Sequence, residues 1–379
     1  MFIRCTKKML DHLKVKPDSV TEQTEVSSSF SWHANVVRIN RRQSVVLMHD
    51  KSQYVIILYG VRAKEFSRMN SLIEKAIRIV WREEGIKESV IDAYLARAGE
   101  VQFTKTKNRS LIARLNQACR SILFFEDELN GEQLIQPELS LRISRLLVGV
   151  EKGDYAEPNE MLYDDLKQLS GEEIFSVRAV ELNVRLMLEE KNVWRRLIVP
   201  LDRTFPQLHN ILQTAIGWRD YHLHEFFVFD DHGTDDALSN NHPGLMADDT
   251  KAIVNLVDNE EAFDYPDEIP RKLETGIKLT DYLPEAKQLA YVYDLGDDWR
   301  HWIEVTDVIE NYASNHPVCL DGEGDAPPED VGGEGGYLEF LEIIDDPNHP
   351  EHDDMKQWAR SQLYTSFNLK KVNHILKTR

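Results

Sequence analysis

Residues 289–303 read Leu-Ala-Tyr-Val-Tyr-Asp-Leu-Gly-Asp-Asp-Trp-Arg-His-Trp-Ile. Two β-rich runs, Leu289–Leu295 and Trp299–Ile309, flank a turn at Gly296, where Asp and Gly readily hydrogen-bond their own backbone. This predicts an antiparallel hairpin. Upstream, Leu223–Phe229 reads as another strand, and Thr204-Phe-Pro-Gln207 as a capping box opening a helix faced by Leu208, Ile211, Leu212 and Ala215. Alternation from Val177 to Met187 and a turn at Glu189–Asn192 add two strands, the second over Trp194–Val199. Downstream, a Gly/Pro-rich segment at 311–336 leads into three short helices near 337–344, 352–362 and 369–376. Together these elements predict one α+β domain over 172–379.

The remaining half needs a second core, because 379 residues exceed the roughly 250–300 at which one hydrophobic core stops growing. Val36–Ile39, Ser44–Met48 and Tyr54–Tyr59 read as an antiparallel meander. Between Lys64 and Gly85, Phe66, Met69, Ile73, Ala76, Ile77, Val80 and Trp81 recur at helical steps. A short strand at Val101–Thr104 precedes Asn108-Arg109-Ser110, which opens a helix faced by Leu111, Leu115, Ala118, Cys119 and Ile122; a thiol on that stripe is expected to be buried. Residues 127–171 carry helical patterning around Leu139–Val150 and Met161–Leu169. The expected fold is therefore α+β, with domains 1–126 and 172–379, each a mostly antiparallel sheet with packed helices, joined by a helical connector at 127–171.

Composition narrows the function. The chain carries 45 Lys+Arg against 65 Asp+Glu, a formal charge of −20, and the signs are segregated: residues 1–126 hold 22 against 13, the remainder 23 against 52. A basic first part attracts phosphate, whereas the acidic remainder repels it and suits a metal ion, a cationic partner or solubility. Cys5, Cys119 and Cys319 are too few and too scattered for a disulfide framework or a two-pair zinc motif. The longest apolar run falls far short of the roughly 20 residues of a membrane helix, and a cytoplasmic location is expected. No Walker loop, dinucleotide glycine fingerprint, Gly-x-Ser-x-Gly elbow or His-Glu-x-x-His helix occurs.

Seven blocks in the second half carry a resemblance: Val193-Trp-Arg-Arg-Leu-Ile-Val-Pro200, Leu208-His-Asn-Ile-Leu-Gln-Thr-Ala-Ile-Gly-Trp218, His222-Leu-His-Glu-Phe226, Tyr291-Val-Tyr-Asp-Leu-Gly-Asp-Asp-Trp-Arg-His301, Cys319-Leu-Asp-Gly-Glu-Gly324, Pro327-Pro-Glu-Asp-Val-Gly-Gly333 and Asp346-Pro-Asn-His-Pro350. In this order they resemble the plasmid pRiA4b ORF-3-like family, whose members also occur as passengers of bacterial insertion sequences. The first half resembles a small bacterial domain of unknown function through Ile3-Arg-Cys-Thr-Lys-Lys8, Ser31-Trp-His-Ala-Asn35 and Asn108-Arg-Ser110. The resemblance implies an architecture and a mobile-element or defence setting, and no settled activity. Members of the first family often carry a cysteine directly before Pro-Pro-Glu-Asp; Ala326 stands there in this chain, which argues against a cysteine-pair mechanism or Cys₂ metal site at Cys319.

Two functional readings remain open. In the first the protein is a binding module whose Arg4, Lys7, Lys8, Arg38, Arg41, Arg42, Lys107 and Arg109 engage nucleic acid or an acidic partner, with Trp32 and Asn35 as aromatic and polar contacts. In the second the acidic domain is a metal-dependent hydrolase acting on a phosphodiester or nucleotide. His222 and His224 are two apart and share one face of a strand, while Asp294, Asp298, His301 and Asp321 lie on or beside glycine-bearing loops, as do Glu323, Glu329 and Asp330. Converged, these groups suit Mn²⁺, Zn²⁺ or Mg²⁺ and a metal-bound water, with His224, Asp298 and His301 as the expected catalytic groups. Structural uses compete with each: a hairpin locked by Arg300 or His301 on Asp297 or Asp298, a solvated basic face, and a packed strand histidine at His33.

Overall fold

The computed structural model describes residues 1–15, 27–106, 108–150, 153–230, 242–246, 250–265 and 268–377. The chain divides into two compact units, Met1–Ser176 and Val177–Arg379.

The first unit is built on a five-stranded sheet of order β4-β3-β2-β1-β5, from β1 (Phe2–Cys5), β2 (Ser31–Ile39), β3 (Arg42–His49), β4 (Val55–Tyr59) and β5 (Gln102–Lys105). Strands β2, β3 and β4 form the antiparallel meander that their alternation predicts. The sheet as a whole is mixed, because β1 lies parallel to both β2 and β5. Such long-range parallel pairing of four-residue strands leaves no local sequence signal. Helix α1 (Lys7–Leu13) follows β1. The single helix expected over 64–85 is two, α2 (Ala63–Phe66) and α3 (Met69–Glu83), interrupted after the Glu65 carboxylate turns back to accept the Arg62 N–H at 3.0 Å. Ile3, Trp32, Val45 and Ile56 share one core with Ile73, Ile77 and Trp81 of α3 and with α4 (Glu88–Ala98). On the other face Val46, Met48 and Ile57 meet Leu115, Cys119 and Ile122 of α5 (Arg109–Phe124), so Cys119 is buried as its stripe implies.

Residues 127–171 do not form a connector. Helix α6 (Pro137–Ser144) lies along the edge strand β4, with the Ser144 and Ser140 hydroxyls accepting the N–H groups of Val55 at 2.9 Å and Ile57 at 3.1 Å. The Tyr59 N–H reaches the Leu134 carbonyl at 2.7 Å. After the short ribbon β6 (Val148–Gly149) and β7 (Tyr155–Ala156), α7 (Pro158–Ser170) places Leu162 and Leu166 in the core with Trp32. The cause is the unpaired edge of β4, whose backbone groups need partners. With this stretch included the first unit holds 26 Lys+Arg against 25 Asp+Glu, and the second 19 against 40.

The second unit carries an eight-stranded sheet of order β12-β11-β10-β13-β14-β8-β9-β15. Its strands are β8 (Val177–Leu186), β9 (Val193–Pro200), β10 (His224–Phe229), β11 (Val254–Val257), β12 (Arg271–Leu273), β13 (Gln288–Tyr293), β14 (Trp299–Tyr312) and β15 (Val318–Glu323), all antiparallel to their neighbours except β11 with β12. Helix α8 (Phe205–Ile216) starts at the expected capping box: Thr204 Oγ1 accepts the Gln207 N–H, and Gln207 Oε1 accepts the Thr204 N–H at 2.9 Å. Its Leu208, Ile211 and Leu212 pack on Phe226, Tyr291 and Ile303, a core completed by α9 (Gly333–Asp345), α10 (His352–Ser361) and α11 (Leu369–Leu376).

One buried charge sits in that core without a carboxylate partner. The guanidinium of Arg195 donates to the carbonyls of Ala215 at 2.8 Å, Trp194 at 2.7 Å, Glu323 at 2.7 Å and Gly324 at 3.0 Å. Burial draws its pKa down to about 10. A Cβ at Gly322 would meet Arg195 Cδ at 2.8 Å, so the glycine makes room for the side chain.

Candidate functional site

Where β13 ends, the chain turns on Asp294, whose φ is +55°. Its Oδ1 accepts the N–H groups of Gly296 at 3.0 Å and Asp297 at 3.2 Å, fixing the carboxylate so that Oδ2 lies 3.5 Å from His222 Nε2. His222 comes from the segment between α8 and β10. The loop before α9 supplies two more carboxylates: Asp330 Oδ1 at 2.9 Å and Glu329 Oε2 at 4.0 Å from the same nitrogen. Ligand atoms of His222, Asp294 and Asp330 all lie within 4.8 Å of one another.

Glu329 is held from below. Its Oε1 accepts the Arg219 N–H at 2.7 Å, and the Tyr293 hydroxyl, 3.2 Å from each carboxylate oxygen, donates to it while accepting the Tyr221 N–H at 2.9 Å. Burial pushes the Glu329 carboxyl above the ordinary carboxylate range, although these hydrogen bonds and His222 pull it down. His222 Nε2 is shielded from water and, despite three carboxylates nearby, meets none in hydrogen-bond geometry. A cation placed among these groups would satisfy all of them at once.

A second cluster surrounds His209 of α8 and His224 of β10, whose rings stack at 3.6 Å with 10° between planes. Asp220, at φ +58°, donates its N–H to Gln213 Oε1 at 2.8 Å, which orients the amide so that Gln213 Nε2 donates to the Tyr291 oxygen at 2.9 Å. The Tyr291 hydroxyl proton then goes to His209 Nδ1 at 2.8 Å, leaving Nε2–H to donate to Asp220 Oδ1 at 2.9 Å. The circuit closes on Asp220. His224 Nε2 lies 3.1 Å from Glu274 Oε1.

Although ligand atoms of His209, Asp220 and His224 also fall within 4.8 Å of one another, their geometry opposes a shared ion. A metal lies about 2.0–2.1 Å from each imidazole nitrogen and in the plane of each ring, a condition two parallel rings this far apart cannot both meet. Of the two clusters, only that of His222 has a geometry compatible with a shared ion, whereas the His209–His224 pair is a hydrogen-bonded stack.

Comparison with known proteins places this half. Residues 178–374 match the family model described as plasmid pRiA4b ORF-3-like protein. The chain belongs to this family. Residues 2–161 match a model described as a domain of unknown function, DUF6933. The uncharacterized protein y4hQ of Sinorhizobium fredii (strain NBRC 101917 / NGR234) is 34% identical over 188 residues, which cover 49% of this chain and 84% of that protein. A crystal structure of a protein of unknown function, MM3350 from Methanosarcina mazei Go1, shows 27% identity over 51% of this chain and 96% of its own, with a TM-score of 0.40. Among the described residues no helix is long and apolar enough to cross a membrane.

Of the six residues expected to ligate a metal, the pRiA4b ORF-3-like unit brings together His222 and Asp294. His222 precedes β10 rather than sharing a strand face with His224, so the two histidines serve different clusters. His301 is buried on β14, its Nδ1–H donating to the Tyr291 carbonyl at 3.1 Å and Trp218 edge-on at 5.2 Å; burial lowers its pKa to about 4. Asp298 grips Arg300, with Oδ1 at 2.9 Å from Nε and Oδ2 at 2.7 Å from Nη2, which is the structural hairpin use of that sequence. Asp321 stands on the edge strand β15, five strand spacings from β10 and so on the order of 24 Å away. His224, Asp298 and His301 thus form no common catalytic set. Asp330 and Glu329 were visible only as members of a crowded acidic loop, and His209 as one histidine of a helix, with no pattern to single it out.

The basic residues of the first unit divide as well. Arg4 is spent on the buried Asp50 at 2.5 Å. Asn40 and Arg41, both at positive φ, make the β2–β3 turn, where Arg38 Nε donates to the Arg41 carbonyl at 3.3 Å. Arg42 donates to the Gly131 carbonyl at 2.8 Å and lies over the Tyr59 ring. Lys7, Lys8 and Arg109 are exposed. Lys107 lies outside the described residues. All three cysteines are buried and unpaired.

Proposed function

We propose that the second unit binds a divalent transition-metal ion through His222, Asp294 and Asp330, with Glu329 as a further oxygen donor, and uses it to hydrolyse a phosphoester. The observation that carries the reading is His222 Nε2, shielded from water, ringed by three carboxylates and hydrogen-bonded to none. One imidazole with two or three carboxylates suits Mn²⁺ or Zn²⁺ better than Mg²⁺, which keeps more of its waters. Such an ion supplies a water nucleophile near neutral pH. With 40 Asp+Glu against 19 Lys+Arg the unit repels long polyanions, which favours a small phosphoester over nucleic acid.

Metal analysis of the purified full chain, followed by thermal unfolding with added Mn²⁺ or Zn²⁺ and hydrolysis of bis(p-nitrophenyl) phosphate, tests it. Stabilisation by metal that vanishes in His222→Ala and Asp294→Asn is expected, with hydrolysis lost in both. Metal-independent unfolding of the wild type would sink the reading.

A second reading concerns the first unit. Lys7 and Lys8 open the helix that follows β1, and Arg109 opens the helix that follows β5, beyond the C-terminal ends of two adjacent parallel strands, the end of a parallel sheet at which ligands collect. These side chains favour engagement of nucleic acid or another acidic partner, in the mobile-element or defence setting that the family resemblance suggests. Binding of the full chain to DNA or RNA should weaken steeply with salt and drop in Lys7→Glu/Lys8→Glu; no binding at low salt would reject it.

A further inference from the structure

A second polar chain lies in the first unit and is independent of the metal reading. The parallel register sets Arg4 of β1 beside His33 of β2, and Thr106, just past β5, donates its N–H to the Cys5 carbonyl at 3.1 Å. Sequence stretches that are far apart, around Arg4, His33 and Thr106, thereby meet at one end of the sheet. His33 is fully buried. Its Nδ1 is 2.6 Å from Asp50 Oδ1 and its Nε2 is 2.7 Å from Thr106 Oγ1, while Asp50 Oδ2 accepts Arg4 Nη1 at 2.5 Å. A carboxylate can only accept, so Nδ1 carries the imidazole proton and the Nε2 lone pair receives the Thr106 hydroxyl. Thr106 itself is half-buried, at the boundary of the core.

A hydroxyl on an imidazole, and that imidazole on a carboxylate, each within 2.6–3.2 Å, is the arrangement that activates an oxygen nucleophile. We propose that Thr106 is a nucleophile with His33 as its general base, that Asp50 and Arg4 are positioning residues, and that the group accepted is phosphoryl. Charge selects that class. Arg4 is neutralised by Asp50, but Arg109, exposed three residues beyond Thr106, and Lys8, exposed three residues beyond the Cys5 whose carbonyl Thr106 bonds, leave the approach cationic. In the step, Thr106 Oγ1 bonds to phosphorus as the bond from phosphorus to the leaving group breaks. The hydroxyl proton passes to His33 Nε2 and from there to the departing group, while Asp50 faces the transient imidazolium.

The full chain is treated with diisopropyl fluorophosphate, a phosphoryl donor that loses fluoride and needs no metal, and the Thr106 peptide is read by mass spectrometry. An adduct at Thr106 is expected. It should be absent in Thr106→Val, present in Thr106→Ser, unchanged by EDTA, and formed about 100-fold more slowly or worse in His33→Gln. In Asp50→Asn the pH midpoint of labelling should move down, because the imidazolium loses its partner; a group that only braces the fold would leave that midpoint in place. A wild-type chain without an adduct at Thr106 overturns the proposal, as does equal labelling in folded His33→Gln. Should His33→Gln not fold, an unmoved midpoint in Asp50→Asn overturns it. Since EDTA would remove the ion proposed for the other unit and leave this step untouched, failure here and failure of the hydrolase reading are separable.

Discussion

In the first unit the two core histidines are bonded through both ring nitrogens, His33 to Asp50 and Thr106, His49 to Ser52 and the Ser29 carbonyl. In the second unit His222 and His301 each keep a shielded Nε2 that meets no hydrogen-bond partner. The difference is one of completeness. A closed hydrogen-bond chain spends its polar atoms on fixing the fold or on a hydroxyl, whereas an imidazole lone pair left over beside three carboxylates is unspent capacity for a cation. Apolar burial explains His301, while His222 has the carboxylates.

The largest test of this contrast removes a closed charge. Glu84 in the first unit is 2% exposed and accepts the hydroxyls of Tyr54 at 2.8 Å and Tyr163 at 2.7 Å and the guanidinium of Arg145 at 2.7 Å. Glu84→Ala strands a half-buried cation and two buried phenols, and urea unfolding should show a loss of about 3 kcal/mol. A loss under about 1 kcal/mol would erase the contrast.

Next in size is a pH effect confined to the second unit. The unfolded His301 ring takes up a proton near pH 6.5, but the folded ring does so only near 4. Between those values the unfolded state binds more protons, so stability that is full above pH 6.5 is lost as pH falls, by about 3 kcal/mol at the limit. Replacing His301 with phenylalanine should flatten that slope in denaturant titrations; an unchanged slope would place the titration elsewhere.

Two neighbouring aspartates sharpen the comparison at about 1 kcal/mol. In metal-free protein, Asp294→Asn relieves repulsion within the His222 cluster while keeping the oxygen that caps Gly296, so its melting temperature should rise as metal-induced stabilisation disappears. Asp298→Asn breaks the pair with Arg300 and should lower stability by up to about 1 kcal/mol with metal binding intact. Shifts of the same sign in both would remove the distinction between an open and a closed carboxylate.

The smallest expected effect is shared by both units. Burial pushes Cys5 to about 12 and Cys119 and Cys319 each to about 11, so iodoacetamide should modify the native thiols slowly and the unfolded ones at once. Rapid alkylation of Cys319 alone would mean that β15 opens more readily than its neighbours.

Elements held by local rules were legible in the sequence: the 289–309 hairpin, the Thr204 capping box, the α5 stripe and the three terminal helices. Illegible were the features that depend on distant partners. The parallel pairing of β1 with β5 joins Phe2 to Gln102. Residues 127–171 look like a linker because their side chains serve an edge strand some 80 residues earlier, as the Ser140 hydroxyl does for the Ile57 N–H. At the site, pairing His222 with His224 by strand period failed because the strand begins only at His224. Asp330 reaches His222 from a loop more than 100 residues away, a closure that spacing cannot foretell.

The serine-capped edge of β4 also bears on how the protein can be divided. A chain ended after residue 126 would release the amides of Val55, Ile57 and Tyr59 from Ser144, Ser140 and Leu134 and bare a strand whose five residues are all buried in the intact unit. Such a fragment carries a sticky, extended rim and would stack strand upon strand into aggregates. The helices beyond residue 126 therefore act as a permanent guard against self-association, and a soluble fragment of this half must extend through α7.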